Sequence, residues 1–167
     1  MTSLQIVGVA GLPEIAEGTD LAAAIVSAAA DGGFPLADGD VVVVTSKIVS
    51  KAEGRTVELA DVQPSPFAIE WSATWDKDPA VTEIVLRESK RIVRQIGPIL
   101  ITETHHGFVC ANSGVDQSSS GAHGRAVLLP VDPDASARRI QHALSHAAGG
   151  RVGVVITDTH EIGRAHV

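Results

Sequence analysis

Val41-Val42-Val43-Val44-Thr45-Ser46-Lys47-Ile48-Val49-Ser50-Lys51-Ala52-Glu53-Gly54-Arg55 is the stretch on which the fold turns. Four consecutive β-branched residues read as a strand buried on both faces, the kind found in sheets covered by helices. The strand delivers hydroxyls and two lysines to one point. Hydroxyls, backbone amides and an ammonium are what a triphosphate needs. The spaced glycines of a Walker loop are absent, and a solvated strand exit with surface lysines fits the same local sequence.

The surrounding chain alternates helix and strand signals. Residues 4–9 read as a short strand, with a turn at Gly11-Leu12-Pro13. Thr19 or Asp20 can cap an Ala-rich helix running to about Ala30, ended by Asp31-Gly32-Gly33. Residues 63–66 read as a Pro-punctuated loop. Asp78-Pro79 opens a helix whose apolar stripe is Val81, Ile84, Val85, Ile92 and Ile96, stopped by Gly97-Pro98. Residues 99–102 and 108–111 read as strands around His105-His106-Gly107, and residues 126–129 as another. Asp132-Pro133-Asp134 starts a second helix with Ala137, Ile140, Leu144 and Ala147 inward, closed by Gly149-Gly150. Residues 152–156 form a last buried strand, with Thr157-Asp158-Thr159 at its carboxyl end. Strands mixed with helices give the fold class α/β (mixed α+β).

Composition narrows the function. At 167 residues the chain is long enough for one domain with a real core. A net charge of -7 argues against phosphate-neutralising nucleic-acid binding, and 3% aromatic residues leave no stacking platform for single strands. No apolar run is long enough to span a bilayer, and no signal peptide is expected. The single cysteine, Cys110, fits a reducing compartment, so a cytoplasmic protein is expected.

Two further loops carry candidate chemistry. In Asn112-Ser113-Gly114-Val115-Asp116-Gln117-Ser118-Ser119, a lone acid sits in a Gly/Ser loop after a strand. It reads locally as a turn residue or as a metal carboxylate. Asp158-Thr159 stands where sites gather in open α/β sheets, beyond a strand's carboxyl end. It reads as a helix N-cap or as an oxygen ligand pair for Mg2+ or Mn2+. His142 and His146 stand four apart without an intervening Glu and read as a surface pair. Arg87, Lys90, Arg91 and Arg94 read as a solvated basic face on the Asp78 helix, or as a site for an anionic substrate tail, with Glu83 placed to pair with Arg87.

Taken in order, several motifs resemble one family. They are Gly11-Leu12-Pro13-Glu14-Ile15, Ser46 through Arg55, Arg87-Glu88-Ser89, and His106 through Asn112 with Gly114-Val115-Asp116. Leu128-Leu129-Pro130, Asp132 through Ala137, and Val155-Ile156-Thr157-Asp158-Thr159 complete the set. The chain is similar, from about residue 5 to residue 159, to the coenzyme F420-0:L-glutamate ligases, also called F420 gamma-glutamyl ligases. The resemblance implies a GTP-dependent ligase that adds L-glutamate to coenzyme F420-0 through an acyl phosphate. It also implies Mg2+ or Mn2+, K+, and an intertwined homodimer. It puts nucleotide contacts on Leu12, Pro13, Glu14, Ile15, Ser46 and Lys51, and metal ligands on Asp116, Asp158 and Thr159. Lys51 and Asp116 are the expected catalytic pair. Where many members carry an Asn that touches GTP, this chain has Ser119, a shorter hydroxyl. A nucleotide- or metal-binding module without catalysis, or another nucleotide-dependent carboxylate–amine ligase, would carry the same local signals.

Family members continue past the Asp158-Thr159 position, and in actinobacteria a nitroreductase-like domain follows. Residues 1–160 are therefore expected to be the N-terminal portion of a ligase domain, inactive alone. Residues 161–167, Glu-Ile-Gly-Arg-Ala-His-Val, resemble a translated sequencing adapter and are expected to be a non-native tail.

Overall fold

The computed structural model describes residues 4–117 and 124–158. The chain divides into two compact units, Met1–Gly54 with Pro130–Thr157, and Arg55–Leu129 with Asp158–Val167. Both mix helices with strands, as expected of an α/β protein.

In the first unit, Asp20 caps α1 (Leu21–Asp31) by accepting from Ala23 N at 3.0 Å. That satisfies one of the amides which a helix start leaves without partners. The strand β1 (Val41–Thr45) passes directly into α2 (Ser46–Ala52). Far along the chain, α5 (Pro133–Ala148) is capped by Asp132 and closed by Gly149 at φ 66°. The strand β7 (Gly153–Thr157) then lies parallel to β1, with Val41 opposite Gly153 and Thr45 opposite Thr157. Ile140 and Leu144 of α5 join Leu21, Ile25, Val44, Val49 and Val152 in one core. Leu144 is fully buried, and burying such a side chain stabilises by about 1.5–3 kcal/mol.

Two strand expectations need correction here. Val41 and Val43 are 62% and 64% exposed, and Val155 is 46% exposed, so β1 and β7 are not buried on both faces. Their β-branched composition gave the strands, but among the described residues each has only the other as a partner. Residues 4–9 form no strand, and Leu4 and Ile6 are almost fully exposed. Apolar alternation without a neighbouring strand to pair with does not make one.

In the second unit, β2 (Thr56–Glu58) pairs antiparallel with β6 (Arg125–Val127). Two helices follow β2: α3 (Pro66–Trp75) and α4 (Pro79–Arg87). A three-stranded antiparallel sheet comes next, ordered β3 (Ser89–Ile96), β4 (Ile99–Thr104), β5 (Val109–Ala111). Its core gathers Val62, Ala80, Ile84, Ala126 and Leu128.

The Asp78 helix is shorter than its apolar spacing implied. It ends at Arg87, where the Ser89 hydroxyl donates back to the Val85 carbonyl. Ile92 and Ile96 belong instead to β3, and Gly97-Pro98 is the hairpin turn into β4. The four basic residues therefore do not share a helix face. Arg87 pairs with Glu83 on α4, whereas Lys90 and Arg91 on β3 both reach Glu103 of β4. The stretch read as a loop at 63–66 contains the start of α3, with Ser65 as its cap and Pro66 at its first position.

Candidate active site

The first unit brings two of the expected segments together. Ile15 is buried in the same cluster as Val49, and Leu12 and Ile48 pack against it. Pro13 and Glu14 are exposed beside them. The Gly18 amide donates to Ala52 O at 2.9 Å, tying the chain after residue 15 to the end of α2. Gly54 completes the turn. Its φ is +70°, and a Cβ there would meet the Glu17 carboxyl carbon at 2.7 Å, so a larger residue would be strained and crowded. Ser46 is buried at the first position of α2. Lys51 is half-buried in its last turn, and its ammonium makes no ion pair among the described residues.

Glu53 is structural. It accepts from the Ser136 hydroxyl at 2.5 Å and pairs with Arg139, which clasps α2 to α5.

The second unit builds the surroundings of Asp116. After β5 the backbone makes three consecutive left-handed residues: Asn112 at φ 50°, Ser113 at 54° and Gly114 at 68°. Such a turn is costly for Asn and Ser and must be held by its neighbours. A buried hydroxyl network holds it. Ser113 Oγ lies 2.6 Å from Ser89 Oγ and 2.8 Å from Thr102 Oγ1, and Ser113 N donates to Thr102 Oγ1 at 3.0 Å. Asn112 Oδ1 accepts from Leu100 N at 3.3 Å. The turn delivers Asp116, half-buried, into a reciprocal backbone pair with Val127 of β6 at 2.9 and 2.7 Å. The Arg87-Glu88-Ser89 motif serves this scaffold. Glu88 binds Arg55 at 2.7 Å, Arg55 Nε donates to Leu129 O at 3.0 Å, and Ser89 joins the hydroxyl network. Sequence reasoning quoted Ser89 and Ser113 only as members of longer motifs and passed over Thr102, because none of the three carries a charge.

Asp158 is exposed just beyond β7. Burial pushes the Cys110 thiol above its ordinary pKa, and the Asp158 charge adds to the rise, while a hydrogen bond from the Gly114 amide opposes it. Ser119 and Thr159, the other expected ligands, lie outside the described residues.

The profile of the F420-0:Gamma-glutamyl ligase family matches residues 10–165. The chain belongs to this family. A coenzyme F420:L-glutamate ligase of Methanothermobacter thermautotrophicus is 43% identical over 156 residues, covering 93% of this chain and 62% of its own length. One of Methanopyrus kandleri is 44% identical over 147 residues, covering 87% and 56%. Another, of Halobacterium salinarum, is 45% identical over 155 residues, covering 89% and 57%. The chain thus spans about three fifths of the length of the curated relatives it matches.

For this ligase-family chain, the chemistry of the two carboxylates that the sequence singles out suits a hard cation. Asp116 and Asp158 offer carboxylate oxygens, the ligand type that Mg2+ and Mn2+ prefer. Among the described residues no cluster of three or more His, Cys, Asp or Glu forms a cage that could hold a metal ion by itself. Mg2+ is ordinarily held by one or two carboxylates plus substrate phosphates. His142 and His146 are both exposed on α5, in keeping with a surface pair. Among the described residues no helix is long and apolar enough to cross a membrane.

Proposed function

We propose that this chain forms the nucleotide- and cation-handling part of a GTP-dependent ligase that joins L-glutamate to coenzyme F420-0 through an amide bond. The observation that carries the proposal is the match of residues 10–165 to the F420-0:gamma-glutamyl ligase family, in a chain whose left-handed 112–114 turn leads to a half-buried Asp116. Relatives 43% and 44% identical over the aligned residues bear the coenzyme F420:L-glutamate ligase name. A carboxylate is a poor electrophile, so the acceptor must be activated before an amine attacks. Phosphoryl transfer from GTP to the F420-0 carboxylate gives an acyl phosphate and GDP. The glutamate amine then attacks the acyl carbon, and phosphate leaves.

The first step is mostly positioning and charge neutralisation. Leu12, Pro13, Glu14, Ile15 and Ser46 form the nucleotide face, with Ser119 as a further contact. Lys51 supplies a fixed positive charge toward the transferring phosphoryl group. Asp116, Asp158 and Thr159 hold Mg2+ or Mn2+, with K+ as a helper. The cations, when bound, neutralise phosphate charge. Cytoplasmic residence fits the single Cys110. A homodimer would cover the β3 edge, where Ile92, Val93 and Ile96 are 41%, 41% and 51% exposed.

The test is Asp116→Asn in a full-length ligase carrying this segment. Ligation should fall roughly 10²–10³-fold, as when one transition-state charge contact is removed, with the far-ultraviolet circular dichroism unchanged. Near-normal turnover would sink the assignment.

A further inference from the structure

Two histidines of α5 have no part in the ligase reading. His142 and His146 stand four residues apart on the helix, and both are exposed. Buried Ile140 and Leu144 fix how α5 is turned against the core of the first unit. Each histidine follows one of them by two residues, about 200° round the helix, so both imidazoles project on the same solvent side. A spacing of four puts their Cβ atoms about 5–6 Å apart. The backbone between them is held. Gln141 Nε2 donates to Ser145 Oγ at 3.0 Å, and Val152 N donates to the same oxygen at 3.0 Å. Neither imidazole has a hydrogen-bond or ion-pair partner among the described residues. By contrast, His105 bonds the Arg87 carbonyl at 2.9 Å, and His106 stacks beside Phe108.

Two uncommitted imidazoles on one turn of a well-anchored helix make a bidentate nitrogen chelate. We propose that this pair binds Cu2+ or Ni2+. Imidazole suits both ions, and both accept a tetragonal shell of nitrogen and oxygen ligands, here two histidines and water. Structural Zn2+ sites use four protein ligands, and among the described residues no group of three or more His, Cys, Asp or Glu comes together. Mg2+ and Mn2+ prefer oxygen ligands, so the pair differs in chemistry from the Asp116 and Asp158 carboxylates. One charge opposes the ion. Arg138, four residues before His142, is exposed and makes no ion pair among the described residues, whereas Arg139 is tied to Glu53.

Calorimetric titration of the untagged chain with Cu2+, in excess Mg2+, tests the site without any need for ligase turnover. A saturable site that depends on both histidines should appear. His142→Gln and His146→Gln should each weaken it roughly ten-fold or more, because the second bond of a chelate forms at high effective concentration. Both residues are exposed, so the variants should keep the wild-type circular dichroism. Arg138→Gln should tighten binding by removing a neighbouring positive charge. His105→Gln, on the turn between β4 and β5, should leave it unchanged. Ni2+ should bind more weakly than Cu2+. The electron paramagnetic resonance spectrum of the copper complex should show nitrogen couplings from two imidazoles. Equal affinity in either histidine variant, a spectrum with oxygen ligands alone, or displacement of Cu2+ by Mg2+ would each overturn the proposal.

Discussion

Replacing Ser113 should reverse the usual order of alanine and glycine. Its side chain is 1% exposed, and its hydroxyl bridges Ser89, Thr102 and the Val85 carbonyl at 2.6, 2.8 and 3.2 Å. Ser113→Ala deletes that bridge and leaves buried hydroxyls short of a partner, a loss of about 1–3 kcal/mol. Thr102 still accepts from the Ser113 amide and Ser89 still donates to Val85 O, so the lower half of that range applies, about 1–2 kcal/mol. Alanine also keeps the left-handed backbone at φ 54°, which costs an L-residue about 1–2 kcal/mol. Ser113→Gly loses the same hydroxyl but relieves that strain. Glycine should therefore be the more stable variant by about 1 kcal/mol, although in helices and strands it is the worse by roughly 0.5–1 kcal/mol. Urea unfolding followed by tryptophan emission reads this unit alone, because both tryptophans lie in α3. A glycine variant no more stable than the alanine variant would refute the claim that the hydroxyl network holds a strained turn.

Two further outcomes follow from the electrostatics. Cys110 should alkylate with iodoacetamide at a higher pH midpoint than an ordinary thiol, since burial first and then Asp158 raise its pKa; Asp158→Asn should move the midpoint down, and an unchanged midpoint would show that the Asp158 charge does not act on Cys110. Glu83 is held below its ordinary carboxylate value of 4.5 chiefly by the Ser65 hydroxyl and amide, with Arg87 adding to them. A depressed folded pKa gives stability that is present above the unfolded value and lost as pH falls through the folded one. Glu83→Gln should accordingly flatten the acid limb of the stability curve below about pH 4.5, and an acid limb as steep as wild type would count against the pairing.

The capped helices were legible because their signals are local. Asp20 and Asp132 cap α1 and α5, and Gly32 and Gly149 close them, at the places their sequence marks. The hairpin at Gly97-Pro98 was not legible, because Val81, Ile84, Val85, Ile92 and Ile96 sustain a helical spacing across a break made by tertiary contacts. Ser89 stops α4 by bonding Val85 O and Ser113, a partner 24 residues away that no local window contains. The helix α3 escaped notice for the opposite reason. Its Ser-Pro start is clear, but Phe67 and Ile69 are 50% and 53% exposed, and only Ala68 and Ser72 are buried, so no apolar stripe announces it. At the site, charged residues with motifs around them stood out, whereas the hydroxyls that aim Asp116 did not. A serine or threonine looks the same in sequence whether it faces water or anchors a strained turn.

The most direct test of the central claim is mass spectrometry of the reaction products. A full-length ligase carrying this segment would be incubated with GTP, Mn2+, L-glutamate and coenzyme F420-0. The predicted result is F420-0 bearing an added glutamyl residue, with GDP formed in equal amount. GTP consumed without glutamylated product, or no reaction from folded protein, would contradict it.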